Sequence, residues 1–195
     1  MKILALSDIE VPELGENFAP DLFNGIDLIL SCGDLPPEYL TLVRERVNAP
    51  LYYVLGNHDI RYRQTPPVGC MNLSFTTARV GNLNLLGLSG SRWYNGGKHQ
   101  YHEAQMRYQL LKLYFTLWRQ PADIIFAHAP PRHVHDAEDR CHRGFRSFHP
   151  LINRFCPSFF LHGHIHANFR HDTERITRIN NTQIINCCGS YVFEC

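Results

Sequence analysis

Leu51-Tyr52-Tyr53-Val54-Leu55-Gly56-Asn57-His58-Asp59 is an apolar run that stops at a glycine and then presents an amide, an imidazole and a carboxylate in succession. A short apolar run bounded by turn residues reads as a strand buried on both faces. The same grammar recurs along the chain. The run 3–6 leads into Ser7-Asp8-Ile9-Glu10, 28–30 into Gly33-Asp34, 124–127 into His128, and 159–161 into Gly163-His164-Ile165-His166. Five strand ends therefore deliver oxygen or imidazole groups to what would be one edge of the sheets, which is where open α/β folds place their ligands.

Two further runs, 83–88 and 183–185, complete the set of buried strand candidates. Between the runs lie helices. Met106, Leu110, Leu113, Tyr114 and Leu117 repeat at helical spacing within 102–118, Pro36-Pro37 introduces a second helix over 38–47, and a weaker pattern spans 145–155. Strand and helix alternate in the first half, which predicts parallel strands joined by crossovers. Segments 177–179, 183–186 and 191–193 read as a terminal antiparallel ribbon turning at Asn180-Asn181. The loops 57–72, 89–101 and 130–144 are the expected walls of a site. No repeat or linker divides the 195 residues, and one domain over 1–195 is expected.

With 44% apolar and 19% charged residues, the chain has the composition of a folded globular protein. Its 19 basic residues nearly cancel the 18 acidic ones, so no global field draws it to nucleic acid or to a membrane, and both partners are disfavoured. The stretch before Asp8 is too short for a signal-peptide core, which favours the cytoplasm. Seven scattered cysteines without a Cys-x-x-Cys pair suggest neither a disulfide framework nor a zinc knuckle, and most read as small buried apolar residues. Twelve histidines are the anomaly. Any one of them is more often structural than a ligand, but two imidazoles spaced as in Gly163-His164-Ile165-His166 rarely have another use.

In order and spacing, Ser7-Asp8-Ile9-Glu10, Gly33-Asp34, Gly56-Asn57-His58-Asp59, Ala127-His128-Ala129-Pro130-Pro131 and Gly163-His164-Ile165-His166 resemble the signature motifs of the calcineurin-like metallophosphoesterase superfamily. The resemblance implies a layered α/β sandwich of two mixed β-sheets flanked by helices, with a metal site at the carboxyl ends of the strands. It also implies two divalent metal ions. One would be held by Asp8, Asp34, His166 and the residue at position 10, the other by Asp34, Asn57, His128 and His164, with Asp34 shared. Mixed oxygen and nitrogen donors without thiolate suit manganese, iron or zinc, manganese being the expected ion. The chain departs from the pattern twice, with Glu10 in place of a histidine and Pro37 in place of a second aspartate. Glu10 either ligates directly, favouring a harder metal, or faces solvent and leaves the first metal weakly held; direct ligation is the expected case.

Two cations about 3.5 to 4 Å apart can generate a bridging hydroxide and clamp a phosphoryl centre. On that reading no serine or cysteine nucleophile is needed, and Ser7 and Cys32 are packing residues. His58 is the candidate general acid, with Asp59 to orient it; a role in positioning the phosphate is the competing reading. Arg92 and Arg143 are the candidate phosphate contacts, and Trp93 and Tyr94 could stack on a base. The expected function is hydrolysis of a small phosphoester, nucleotide-type or diester. The rivals are a binding scaffold that keeps the fold without catalysis, as the related retromer subunit does, and a nuclease.

Overall fold

The computed structural model describes residues 1–195. In chain order its strands are β1 (Lys2–Ser7), β2 (Leu28–Ser31), β3 (Leu51–Tyr53), β4 (Met71–Asn72), β5 (Thr76–Val80), β6 (Leu83–Leu88), β7 (Ser91–Arg92), β8 (Gln100–Tyr101), β9 (Ile124–Ala127), β10 (Phe159–His162), β11 (Ile176–Ile179), β12 (Thr182–Asn186) and β13 (Gly189–Glu194). Its helices are α1 (Pro37–Val47), α2 (Glu103–Arg119) and α3 (Phe148–Phe155).

The strands form two large mixed sheets. One runs β13-β1-β2-β3-β4 and the other β11-β12-β10-β9-β6-β5, with β7 and β8 as a separate pair. In the first sheet β1, β2, β3 and β4 are parallel and β13 closes the edge antiparallel to β1. In the second, β6, β9, β10 and β12 are parallel, with antiparallel β5 and β11 at the two edges.

Alternating side chains explain why the central runs are apolar throughout. Ile3, Ala5, Leu28, Leu30, Ile124, Phe126, Phe159 and Leu161 pack together between the sheets. Their neighbours point the other way: Leu4, Leu6 and Ile29 pack under α1, and Ile125, Ala127 and Phe160 pack under α2 and α3. The result is four layers, helix on sheet on sheet on helix, in which a strand buried on both faces needs no polar alternation. The parallel strands of both sheets bring their carboxyl ends toward one edge, and the candidate ligands follow directly from those ends.

The helices start and stop for local reasons. Proline at the first position of α1 has its φ already set for a helix, and Asn48 ends it in the left-handed conformation at φ 55°. The Gln105 side chain accepts the His102 backbone N–H at 2.7 Å at the head of α2, whose Met106, Leu110, Leu113 and Leu117 are buried. The sequence pattern predicts the third helix from residue 145, but α3 begins at Phe148. Phe145 forms a bridge with Pro131, and the Glu103 carboxylate accepts the backbone N–H groups of Arg146 and Ser147, which holds that stretch out of the helix.

Two other expectations are corrected. The terminal ribbon is a hairpin of β11 and β12 only, turning at Asn180 with φ 52°, while β13 crosses to the other sheet and pairs with β1. Of the cysteines only Cys32, Cys187 and Cys188 are buried; Cys156 and Cys195 are exposed, and all seven are free thiols. No helix is long and apolar enough to cross a membrane.

Candidate metal centre

The chain must turn sharply where each strand meets the edge, and three candidate ligands take the strain themselves. Asp8, Asp34 and His164 have φ of 64°, 57° and 67°, in the left-handed region that non-glycine residues avoid. Two of the neighbouring glycines serve a different need. A Cβ on Gly163 would stand 1.7 Å from Ser7 Oγ and 2.5 Å from Asp8 Oδ2, and one on Gly56 would stand 2.0 Å from Asp34 Oδ1. Neither glycine has a positive φ. They are there to let backbone approach side chain, whereas Gly33, at φ 94°, also needs its conformation.

Hydrogen bonds then lace the strand ends together. Ser7 Oγ donates to Gly33 O at 3.2 Å, the Asp8 carboxylate accepts the His164 backbone N–H at 2.8 Å, and the Gly163 N–H donates to His128 O at 3.0 Å. Asp34 Oδ1 accepts the His58 backbone N–H at 2.8 Å. The sequence pairs Asp59 with the His58 ring, and the structure gives one of its oxygens backbone partners. Asp59 Oδ2 accepts two backbone N–H groups, from Gly56 at 2.7 Å and from Asp34 at 2.9 Å, so Asp59 holds the β2 and β3 ends against each other.

Inside this frame lies a cluster that can hold a cation. Ligand atoms of Asp34, His128 and His164 all lie within 4.8 Å of one another. Each imidazole has one ring nitrogen tied to a backbone carbonyl: His128 Nδ1 donates to Cys32 O at 2.9 Å, and His164 Nε2 donates to Cys141 O at 2.8 Å. That is the outer arrangement by which proteins fix the tautomer and aim of a metal-ligating histidine, since the second nitrogen is left for the metal. His128 Nε2 lies 3.0 Å from Asn57 Oδ1 and 3.3 Å from Asp34 Oδ2. Asn57 is aimed by its other end, because its Nδ2 donates to the Tyr94 hydroxyl at 3.2 Å.

The electrostatics of the cluster follow from its burial and its charges. Burial raises the pKa of Asp34, but the charge and hydrogen bond of His128 and the nearby His58 outweigh it and bring the carboxyl down to about 2. Burial likewise lowers that of His128, yet Asp34 and Asp8 lift it to about 9. The oxygens of Asp34 and Asn57 both face His128 Nε2, so the cluster favours positive charge at that point. Asp59, buried and facing the charge of Asp34, is pushed up to about 7. Burial and His128 bring His164 down to about 4, which keeps it neutral and able to ligate. The residues present fit a divalent ion bound by oxygen and imidazole.

The remaining expected residues divide. His166 Nε2 lies 3.5 Å from the buried carboxylate of Asp8, although the imidazole itself is 65% exposed. That puts a second oxygen and nitrogen pair next to the first cluster through the Asp8–His164 bond. Glu10, expected to ligate, is exposed and makes no hydrogen bond or ion pair; beyond the left-handed turn at Asp8 the chain runs outward. His58 has an exposed side chain at the rim. Arg92 is paired with Glu103, and Arg143 Nε donates to Glu138 O at 2.8 Å, so neither points a free guanidinium into the cluster. Trp93 stacks on His102.

Sequence reasoning missed Cys141 and His142 and gave Tyr94 a different role. Cys141 acts through its carbonyl and Tyr94 through its hydroxyl, and neither role has a local signature. His142 stands with its ring 5.3 Å from that of His164, and its Nδ1 lies 3.0 Å from Asp139 Oδ2. The Asp139-x-x-His142 spacing within a loop already marked as a wall was the available signal.

Comparison with curated proteins found no match. Among solved structures the fold is similar to TT1561 of Thermus thermophilus, with a TM-score of 0.65 at 18% identity, covering 96% of this chain and 89% of that one. It is also similar to a hypothetical protein from the same organism, at 0.56 and 21% identity over 95% and 75% of the two chains. At such identities the likeness concerns the fold. The sequence model of the calcineurin-like phosphoesterase family matches residues 1–168, the span that contains the whole cluster from Asp8 to His166, and the chain belongs to that family.

Proposed function

We propose that the chain is a metal-dependent hydrolase of small phosphate esters. Asp34, Asn57, His128 and His164 would hold one divalent ion and Asp8, Asp34 and His166 a second, manganese being the best match to the donor set, with iron or zinc next. Such ions supply Lewis acidity toward a phosphoryl group and an activated water at neutral pH. The observation that carries the reading is the pair of imidazoles, each anchored to a backbone carbonyl by one nitrogen, around the single carboxylate of Asp34.

The protein's own groups do the rest. The Asp34, His58 and Gly56 backbones are locked by Asp34 Oδ1 and Asp59 Oδ2, which gives the ligands fixed positions. His58, exposed at the rim beside Asp34, is placed to give a proton to a leaving oxygen, a contribution of roughly 100- to 10,000-fold. A scaffold reading is favoured by a different feature. Tyr108, Leu111, Phe115 and Trp118 form a stripe at helical spacing on α2, each at least 60% exposed. Exposed apolar area of that kind marks interaction surfaces.

Turnover of para-nitrophenyl phosphate, its bis ester and cyclic nucleotides by the full chain in Mn²⁺, with metal content measured in parallel, separates the two. Hydrolysis of any of these esters supports the enzyme; no turnover with less than one ion per chain overturns it. His58→Ala is expected to keep the metal while cutting turnover most on poor leaving groups. Loss of metal in that variant would refute the role given to His58.

A further inference from the structure

Beside the centre a cavity of 260 Å³ is lined by Arg92, Glu103, Arg132, Arg143, Gly144 and Arg146, with no apolar side chain. Four guanidiniums in one cavity repel each other unless anions match them. Arg132 is matched: it donates to Asp136 at 2.6 Å and to both oxygens of Glu138 at 2.7 and 2.8 Å, which fixes it in place and neutralises its charge. Glu103, the one lining carboxylate, is saturated, since it accepts Arg92 Nη1 and the backbone N–H groups of Arg146 and Ser147.

The outer two arginines are a different case. Arg143 engages Glu138 through Nε, with Nη2 no closer than 3.9 Å to the Glu138 carboxylate. The Arg146 guanidinium makes no hydrogen bond or ion pair. Two exposed guanidiniums thus stand beside two that are already satisfied. Planar N–H forks of this kind match phosphoryl oxygens two at a time.

Two of the lining arginines lie close along the chain to residues that support the metal cluster. Cys141, whose carbonyl holds His164, is two residues from Arg143, and Tyr94, whose hydroxyl holds Asn57, is two residues from Arg92. Two residues span at most about 7 Å of chain. A ligand with one phosphoryl group at the metals can therefore place another among the arginines.

We propose that this cavity binds a second phosphoryl group of the substrate, so that the preferred esters carry two, as a phosphorylated nucleotide does. This rests on the phosphoesterase reading, and the test separates the two. Pyrophosphate is titrated calorimetrically into metal-stripped full-length protein, where the metal site cannot contribute. One-to-one binding is expected, weakened at least tenfold in the double variant Arg143→Gln/Arg146→Gln and unchanged in Arg79→Gln, an exposed arginine on β5. In Mn²⁺-loaded protein, adenosine 3′,5′-bisphosphate is expected to show at least a tenfold lower KM than adenosine monophosphate, with that gap closed in the double variant.

Absence of pyrophosphate binding, or equal binding by the double variant, overturns the inference even if esters are hydrolysed. Pyrophosphate binding that depends on the two arginines in a protein that hydrolyses no ester overturns the phosphoesterase reading and keeps the anion site. Equal KM values for the two nucleotides overturn its assignment to the substrate.

Discussion

Gly56→Ala is the sharpest perturbation the geometry offers, because it adds one methyl group at a backbone position with no left-handed requirement. The new Cβ would stand 2.0 Å from Asp34 Oδ1, 2.5 Å from its Cγ and 2.7 Å from His128 Cε1. Non-bonded atoms settle at about 3.5 Å, so the Asp34 carboxylate must retreat by more than an ångström. Its Oδ1 holds the His58 N–H at 2.8 Å and its Oδ2 lies 3.3 Å from His128 Nε2, and that retreat disturbs both. Overpacking costs about 1 to 3 kcal/mol, which for a chain of this size lowers Tm by roughly 2 to 12 °C. Misplaced support around a metal ligand costs about 10- to 100-fold in affinity. Equilibrium dialysis against Mn²⁺ and thermal melts of metal-free protein read the two effects separately. Gly25→Ala is the control: its φ is 73° but nothing lies within 4 Å of the added Cβ, so it should cost about 1 kcal/mol and leave Mn²⁺ affinity unchanged. Wild-type Mn²⁺ affinity in Gly56→Ala would refute the claim that Asp34 and His128 together seat the metal.

Asp59→Ala orphans the backbone N–H groups of Gly56 and Asp34 and should destabilise by about 2 to 5 kcal/mol in urea titrations, with Asp59→Asn recovering most of it. Were Asp59 only a partner for the His58 ring, stability would not move. Tyr94→Phe frees the Asn57 amide to rotate and is expected to weaken Mn²⁺ binding about tenfold without changing Tm; unchanged affinity would mean Asn57 needs no such support. Because Glu10 is exposed and unpaired, Glu10→Gln should leave the number of bound ions as it is, and loss of an ion would restore it as a ligand. Thiol titration of native protein should show Cys156 and Cys195 reacting first and Cys32, Cys187 and Cys188 only on unfolding; early reaction of Cys187 would contradict its place between the sheets.

The central strands and the helices were legible because their signals are local, whereas the short or half-exposed strands β4, β5, β7 and β8 have no apolar run to mark them. A run such as 124–127 is apolar at every position since Ile124 and Phe126 face the other sheet while Ile125 and Ala127 face helices, and no alternative buries both faces of so short a segment. The fate of β13 was not legible: Tyr191 to Phe193 has the same composition whether it extends the β11–β12 hairpin or joins β1, and only packing in three dimensions decides. The candidate site divides along the same line. Asp34, Asn57, His128 and His164 sit a few residues past a strand end, where their convergence follows from parallel strands. What supports them comes through backbone groups of distant loops, as with the Cys141 carbonyl on His164, and a carbonyl has no side-chain identity to read. Asp59 shows the same limit: its adjacency to His58 suggests a pair, while the backbone N–H groups of Gly56 and Asp34 that its Oδ2 accepts have no signature in the sequence.

Ten non-glycine residues of this chain have left-handed backbone, and three of them have ordinary causes. Asn48 and Cys156 end helices and Asn180 turns a hairpin. Asp8, Asp34 and His164 have no such excuse, since each closely follows a strand end where glycine would be easier, and each such conformation costs on the order of 1 to 3 kcal/mol. A glycine in any of the three would relieve the backbone and lose the donor atom. That these residues keep side chains despite the strain, while Gly56 and Gly163 give up theirs to let Asp34 and Asp8 approach, divides the turns into positions that supply a ligand and positions that make room for one. The carboxylates of Asp8 and Asp34 are thereby brought to one edge with His128 as their shared buried counter-charge. Two carboxylates facing one imidazole at a buried edge make a place that favours positive charge. The backbone angles and close approaches, which draw these side chains to one edge, thus support a metal centre independently of the motifs that first suggested one.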